Sequence, residues 1–291
     1  MRFEILTIFP GFFAGIFENG ILRRALAEEL VSVGVHDLRA FTHDRHRTVD
    51  DRPFGGGEGM VLKPEPLAEA LASLGIQPKA ERRAALQSAE KSSPAPSPTP
   101  TGQTRVILLS AQGRPFTQAM ARELATVERV VLICGRYEGV DERINQLYCD
   151  LELSIGDYVL SGGELAAAVV VDAVSRLIPG VLGNEASGEF ESFGVADAEI
   201  TSADDGVPRS QHGAGGLLDY PHFTRPAEFG GLSVPATLLN GDHKEIRRWR
   251  REQQLRKTLA NRPDLLEGAV LSKEDEKLLE AIREESAGKL R

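Results

Sequence analysis

Asp219 stands in GLLDYPHFTRP (residues 216–226), between an apolar pair and an aromatic–proline segment. A carboxylate drawn partly out of water there suits proton abstraction; a turn or N-cap aspartate is the plainer alternative. LICGRYEGVDERI (132–144) reads as a buried strand ending at Cys134 and turning at Gly135, where open α/β sheets hold ligands. Arg136, Glu138, Asp141, Glu142 and Arg143 are many charges for a core turn, although a salt-bridged surface turn accounts for them equally well. In SIGDYVLSGGEL (154–165) two glycine sites flank an expected short strand, Tyr158–Leu160, and Gly162-Gly163 opens a helix whose backbone N–H groups can cradle a ligand. Neither GxxxxGK[ST] nor a strand-following GxGxxG is present, which argues against ATP and dinucleotides. The adenine and ribose of a nucleoside cofactor suit such a loop, and a plain strand–turn–helix corner is the alternative.

Two further segments carry positive charge. The stretch THDRHRTVDDRPFGGGEGM (42–60) sets His43, Arg45, His46, Arg47 and Arg52 against Asp44, Asp50 and Asp51. His43 and His46 are three apart, but no HExxH is present and no carboxylate completes a metal triad. Phosphate contact and base stacking fit this loop better than a metal does. HKEIRRWRREQQLRK (243–257) places seven Lys/Arg and two Glu between Lys244 and Lys257, a local charge of +5 around Arg248 and the only tryptophan, Trp249. Such a localised patch is the footprint expected of RNA binding; a solvated amphipathic helix is the alternative.

The elements that must position these residues follow from apolar spacing. Strands are expected at 2–9, 35–41, 105–109 and 129–134, the last two being nearly continuous apolar runs that suit a parallel sheet buried on both faces. Helical spacing appears within 12–33 (two short helices), at 66–74, 118–126 and 165–177, and again beyond 217. The 165–177 helix is apolar almost all round, as for a deeply buried or interfacial helix. Alternating strands and helices predict an α/β fold. Residues 88–104, with prolines at 94, 96, 98 and 100, read as a disordered or polyproline-like insertion, and the acidic, glycine-ended stretch 184–216 as an interdomain linker.

Composition narrows the class. The 291 residues carry 34 Lys/Arg and 43 Asp/Glu, a net charge of −9, with 41% hydrophobic residues. These are values of an ordinary globular protein, one large domain or two smaller ones. No apolar run is long enough to span a membrane, and MRFEILTIFPGFF reads as a folded strand rather than a signal peptide. Cys134 and Cys149 lie in apolar stretches without partners at metal-ligand spacing, so neither a disulfide scaffold nor a zinc–cysteine site is expected. The cytoplasm is the expected compartment.

Together the segments FTHDRHRTVDDRPFGGGEGM, LICGRYEGVDERI, SIGDYVLSGGEL, SRLIPGVLGNEAS, LLDYPHFTRP and HKEIRRWR, in this order, resemble the bacterial tRNA (guanine-N1-)-methyltransferases of the SPOUT class. The likeness covers nearly the whole chain except 76–104 and 188–213. It implies methyl transfer from S-adenosylmethionine to N1 of guanosine 37 in tRNA. It implies a SPOUT-type parallel sheet whose C-terminal part forms a deep trefoil knot, followed by a small all-helical domain. The domains would be 1–183 (catalytic, with the insertion at about 88–104), 184–216 (flexible linker) and 217–291 (tRNA-binding). Donor-binding residues would be Leu109, Ser110, Gly135, Tyr137, Glu138, Ile155, Gly156, Asp157, Tyr158, Val159, Leu160 and Gly163. Asp219 would be the general base and Arg176 would steady charge on guanine O6, both acting on a donor held by the other subunit of a homodimer. His43, Arg45, His46, Arg47, Asp50, Arg52, Arg248 and Trp249 would contact tRNA. Magnesium accompanies the family's reaction, but no ligand set stands out in this sequence.

Three positions depart from the family pattern: Glu58, Ala111 and Ala166 stand where proline is usual, each losing a fixed φ. Two other readings compete. A non-enzymatic RNA-binding protein on this fold would lack an intact donor loop or base, whereas Gly135, 154–163, Arg176 and Asp219 all stand. A SPOUT methyltransferase acting on ribosomal RNA or a ribose 2′-hydroxyl is disfavoured by the 42–60 loop and LLDYPHFTRP.

Overall fold

The computed structural model describes residues 1–92, 103–183, 191–194 and 214–288. The chain divides into two compact units, Met1–Gly183 and Asn184–Arg291.

The first unit is a three-layer α/β structure. In chain order it contains β1 (Arg2–Thr7), α1 (Gly20–Ala27), β2 (Ser32–Asp37), the short strands β3 (Asp50–Asp51) and β4 (Val61–Leu62), α2 (Pro64–Ser73), α3 (Lys79–Ser92), β5 (Thr104–Pro115), α4 (Gln118–Ala125), β6 (Arg129–Cys134), α5 (Glu142–Tyr148), β7 (Leu151–Ser154) and α6 (Glu164–Ser175). Five strands form one sheet in the order β2-β1-β6-β5-β7, every pair parallel. The antiparallel pair β3–β4 stands apart.

Side chains alternate across the central strands. Phe3, Ile5, Ile107, Leu109, Val130 and Leu132 enter one apolar layer with α1, α4 and α6. Leu6, Val106, Leu108, Val131 and Ile133 enter the other with α2 and α5. Burial on both faces is why these strands read as continuous apolar runs. Cys134 and Cys149 are both buried and free; burial pushes the Cys149 thiol up to about 12. A fully buried carboxyl also lies in this sheet: Glu4 of β1 pairs with Arg2, His36 (2.6 Å) and Arg129 (3.3 Å). Its register partner Gly34 leaves room for that carboxylate, because a Cβ there would collide with it.

Several expectations need correction. Residues 88–92, expected in the disordered insertion, are the last turns of α3, since the prolines begin only at 94; 93–102 lie outside the described residues. The second strand is 32–37 rather than 35–41, because Asp37 caps a 3₁₀ turn over Leu38–Phe41. The first ends at Thr7, before Pro10 starts another 3₁₀ turn. Tyr158–Leu160 is not a strand: the pairing segment is LELS (151–154), whose short mixed sequence hid an edge strand, and 155–163 is loop.

In the second unit, β8 (Glu228–Phe229) and β9 (Leu232–Ser233) form a hairpin, followed by α7 (His243–Asn261), α8 (Asp264–Glu267) and α9 (Lys273–Gly288). The hairpin departs from the expectation of an all-helical domain; Gly230 and Gly231, both at positive φ, make its turn. Leu217, Leu255 and Ile282 form the core. Residues 191–194, expected as linker, bond to this unit through Phe193 N–H to Leu217 O and Asp219 N–H to Ser192 Oγ. Residues 184–190 and 195–213 lie outside the described residues.

Arg251 on α7 forms a two-pronged ion pair with Asp275 on α9 at 2.7 and 3.0 Å. Burial pushes the Asp275 carboxyl up, but the Arg251 guanidinium and the Ser272 N–H and hydroxyl more than offset it and hold it below the usual range. A depressed folded-state carboxyl stabilises above its unfolded pKa of about 3.9, and that stability is lost as pH falls through the folded value. Asp275→Asn is expected to destabilise the second unit by about 2–4 kcal/mol at pH 7. Thermal unfolding at pH 7 and below pH 3 should show that difference at the first pH and its shrinkage at the second.

Candidate active site

The carboxyl ends of β5, β6 and β7 run into three loops, which together enclose a cleft of about 440 Å³. That lies within the ~300–1,000 Å³ of small-molecule sites. The first loop, 110–113, leaves β5 and rejoins it, so that Leu109 and Arg114 both stand opposite Leu153. The second follows Cys134: Tyr137 adopts a left-handed φ of 58° and Gly139 one of 132°, folding the chain over the β6 end. The third, 155–163, returns from β7 and closes on the second through the Gly163 N–H to Gly135 O bond at 2.9 Å.

One buried carboxylate locks these parts together. Glu164, the first residue of α6, is 1% exposed. It accepts hydrogen bonds from Thr7 Oγ1 (2.7 Å) at the end of β1 and from Arg136 Nε (2.9 Å) after β6. Arg136 also donates to Ser161 O (2.9 Å) and lies over the Phe9 ring. A buried charge is tolerated only with such partners. Burial and then the Glu164 charge push the neighbouring Cys134 thiol well above its ordinary range, against the pull of Arg136.

The cleft has backbone walls. A Cβ on Gly163 would lie 2.7 Å from Cys134 Cα, and one on Gly135 would lie 3.2 Å from Leu109 O. Eleven of the twelve residues singled out for donor binding line the cleft: Leu109, Ser110, Gly135, Tyr137, Glu138, Ile155, Gly156, Tyr158, Val159, Leu160 and Gly163. Asp157 does not; it is exposed on the third loop, whose glycine at 156 turns it outward. Sequence reading missed Gln112, Arg136, Glu142, Glu152 and Ser154, which also line the walls. Arg136 was marked only as one charge in a turn, and no local signal pairs it with Glu164, 28 residues away.

Arg176 is at the far end of α6 from the cleft. Twelve helical residues separate it from Gly163 by about 18 Å. The helix buries Ala166, Ala167, Val170, Val171 and Val174 but leaves Leu165 and Val169 49% and 45% exposed, an apolar stripe at i, i+4.

The basic loop is exposed at His43, Arg45, His46, Arg47 and Arg52, with Asp50 half-buried in β3. Asp44 shapes it: the Thr48 hydroxyl, then the Thr48 and His46 N–H groups, hold its carboxyl below the usual range. His43 Nε2 lies 2.8 Å from Glu69 Oε2. Phe54, unremarked in the sequence, is 100% exposed. No group of three His, Cys, Asp or Glu among the described residues is placed to hold a metal ion.

In the second unit Asp219 is 20% exposed and held by its neighbours: Oδ1 accepts from Tyr220 N–H (2.8 Å) and Oδ2 lies 2.9 Å from His222 Nε2. Arg250 lies over the Tyr220 ring, whose hydroxyl pKa burial pushes up. Trp249 meets Phe223 at 6.2 Å between centroids, and Arg248 is exposed. Arg251 and Arg256 are engaged by Asp275 and by Glu252 and Glu285, so not all the positive charge of α7 faces solvent unpaired.

Comparison with known proteins gives a family. A profile of the family described as tRNA (Guanine-1)-methyltransferase TrmD matches residues 1–268. Among relatives, a tRNA (guanine-N(1)-)-methyltransferase of Koribacter versatilis is 53% identical over 283 residues, 97% of this chain and 98% of its own length. One of Geobacter metallireducens with the same name is 46% identical over 284 residues, 98% of each.

The Gly163 contact gives a direct test of the cleft. Gly163→Ala must push backbone against backbone, so a loss of about 1–3 kcal/mol in stability and weakened small-ligand binding are expected from thermal unfolding and calorimetry. Unchanged values would mean the two loops do not meet as described.

Proposed function

The chain belongs to the tRNA (guanine-1)-methyltransferase family, and from that membership we propose that it transfers a methyl group from S-adenosylmethionine to N1 of guanosine 37 in tRNA, in the cytoplasm. The observation that carries the reading is the glycine-walled cleft at the sheet's carboxyl ends. Its volume and its backbone donors and acceptors fit a bent nucleoside cofactor. Residues of the three loops, Leu109–Ser110, Gly135–Glu138 and Ile155–Gly163, would hold it. The donor supplies an activated methyl on a sulfonium, so the protein's work is positioning and proton management.

Guanine N1 carries a proton at neutral pH and is a poor nucleophile until it leaves. Asp219, its carboxylate fixed by Tyr220 N–H and His222, takes that proton as the methyl arrives. Charge then moves onto O6, and the Arg176 guanidinium stabilises it. Because Arg176 is about a helix length from the cleft in its own chain, the reading places it against a donor held by a second subunit. The exposed Leu165–Val169 stripe supplies an apolar face for such a homodimer. The 42–60 loop, with its exposed Arg, His and Phe54, would clamp the target base out of its stack. Helix α7 would grip tRNA through Arg248 and Trp249. The family's trefoil knot fits the path of 155–163, which leaves β7 outside β5 and leads to α6, packed on β6 and β1. Magnesium is the metal the family likeness implies; among the described residues no group of three His, Cys, Asp or Glu is placed to hold it.

Labelled methyl transfer to a tRNA transcript with G at position 37, beside one with A there, tests the reading. Incorporation only with G, as N1-methylguanosine, is expected. Asp219→Asn should lose about 10²–10⁴-fold in rate with donor affinity kept; a loss under about tenfold overturns its role as base. Leu165→Glu/Val169→Glu should yield a monomer by light scattering and abolish transfer, and an active monomer would refute the shared site.

A further inference from the structure

A second cleft, of about 400 Å³, is lined by both ends of β5, the start of β7, and helices α3 and α4, and its described lining shares no residue with that of the first. Four arginines line it: Arg82 and Arg83 from α3, Arg105 and Arg114 from β5. Arg82 is committed. It forks onto Asp150 at 2.8 and 3.2 Å and donates to the carbonyls of Tyr148 (2.6 Å) and Gln77 (3.0 Å), which pins α3 beside the start of β7. Arg83, Arg105 and Arg114 form no ion pair with any described residue. Among the walls only Asp150 and Glu123 are acidic, so four positive charges meet two negative ones and a net +2 remains. Gln103, Thr104, Met120, Leu124 and Leu151 complete the described lining.

Like charges brought together in a concave, partly apolar site repel, and concave walls focus their field on one region. An anion entering there relieves the repulsion. Guanidinium forks match planar and tetrahedral oxyanions bidentately. A single carboxylate neutralises one fork, whereas a phosphate presents more charge and more acceptor oxygens. We propose that this cleft is a phosphate-binding site, taking the phosphate of a small phosphorylated molecule or of an RNA backbone. The RNA source rests on the tRNA reading above; the small-molecule source does not.

The test uses the full chain, with pyrophosphate as probe in low-salt calorimetry and tRNA binding measured across a salt series. Arg105→Gln/Arg114→Gln is compared with wild type and with Arg248→Gln, which controls for anion binding on α7. Expected is a loss of pyrophosphate affinity of at least about tenfold in the double variant alone, with Arg105→Lys/Arg114→Lys recovering part of it. If RNA is the source, the slope of log affinity against log salt falls by about 1–2 in the double variant. Loss of pyrophosphate binding with an unchanged slope assigns the small-molecule source. A changed slope without measurable pyrophosphate binding assigns the backbone source. No difference in either measurement overturns the site. If the double variant does not fold, Arg83→Gln, on an exposed helix position, carries the same readings. The pyrophosphate arm contains neither donor nor tRNA, so a failure of methyl transfer would leave it standing.

Discussion

The Glu164 carboxylate is the point on which the donor cleft depends. It sits at the start of α6 with 1% exposure, where an unpartnered charge would cost several kcal/mol. Its partners come from three places far apart in sequence: Thr7 at the end of β1, Arg136 after β6, and through Arg136 the carbonyl of Ser161. Satisfying one buried charge therefore brings the ends of two strands and the last turn of a loop to a single spot. With Arg136 fixed, Gly135 and Gly163 meet at 2.9 Å, and the backbone walls follow. The helix N-terminus adds its own preference for a negative side chain at that position.

This arrangement explains what the sequence made legible and what it hid. Glycine at 135, 156 and 163 marks places where a Cβ would strike backbone or ring, or where φ is positive, and such positions announce themselves locally. The buried strands 104–109 and 129–134 are legible because burial on both faces removes polar residues. Strand β7 is not, since LELS is four residues of mixed pattern at the edge of the sheet, pairing with β5 on both sides of the register shift at 109–114. The Arg136–Glu164 pair is invisible for a different reason: the two residues are joined by a tertiary fold, not by any helical or strand period. Residues 88–92 were misread because the composition around 94–100 was extended back over helix-forming AEK. Asp157 stands exposed on the same loop as Tyr158 and Val159, outside the cleft lining.

Net charge misleads in the same way. A chain at −9 holds a positive surface in each unit, one on α7 and one around α3 and β5. Part of each is internal scaffolding: Arg251 and Arg256 brace the second unit, and Arg82 braces the first. Counting Lys and Arg in a segment overstates the charge available to a ligand by the number that are fork-paired. The cations left over, Lys244, Arg248 and Lys257 in one case and Arg83, Arg105 and Arg114 in the other, are the ones whose removal should change binding rather than folding.

Glu58, Ala111 and Ala166, where the family resemblance leads to an expectation of proline, bear on how rigid the cleft is. Proline fixes φ before any contact is made, so it stabilises a loop through the unfolded state. Here Ala111 and Ala166 line the cleft without that restriction, and other contacts must hold their segments. Ala166 is buried within the α6 layer, two residues after the Glu164 anchor. The 110–113 excursion is held by Gly113, whose close approach to the Leu153 backbone leaves no space for a side chain, and by the Gln112 N–H to Ser110 Oγ bond at 3.1 Å. Glu58 stands exposed among glycines at positive φ, and only its neighbour Gly59 is pressed against Glu138. Two of the three lost restraints are thus replaced by packing inside the first unit. The third is not: Glu58 is exposed, in a tip whose glycines 55, 56, 57 and 59 all take positive φ.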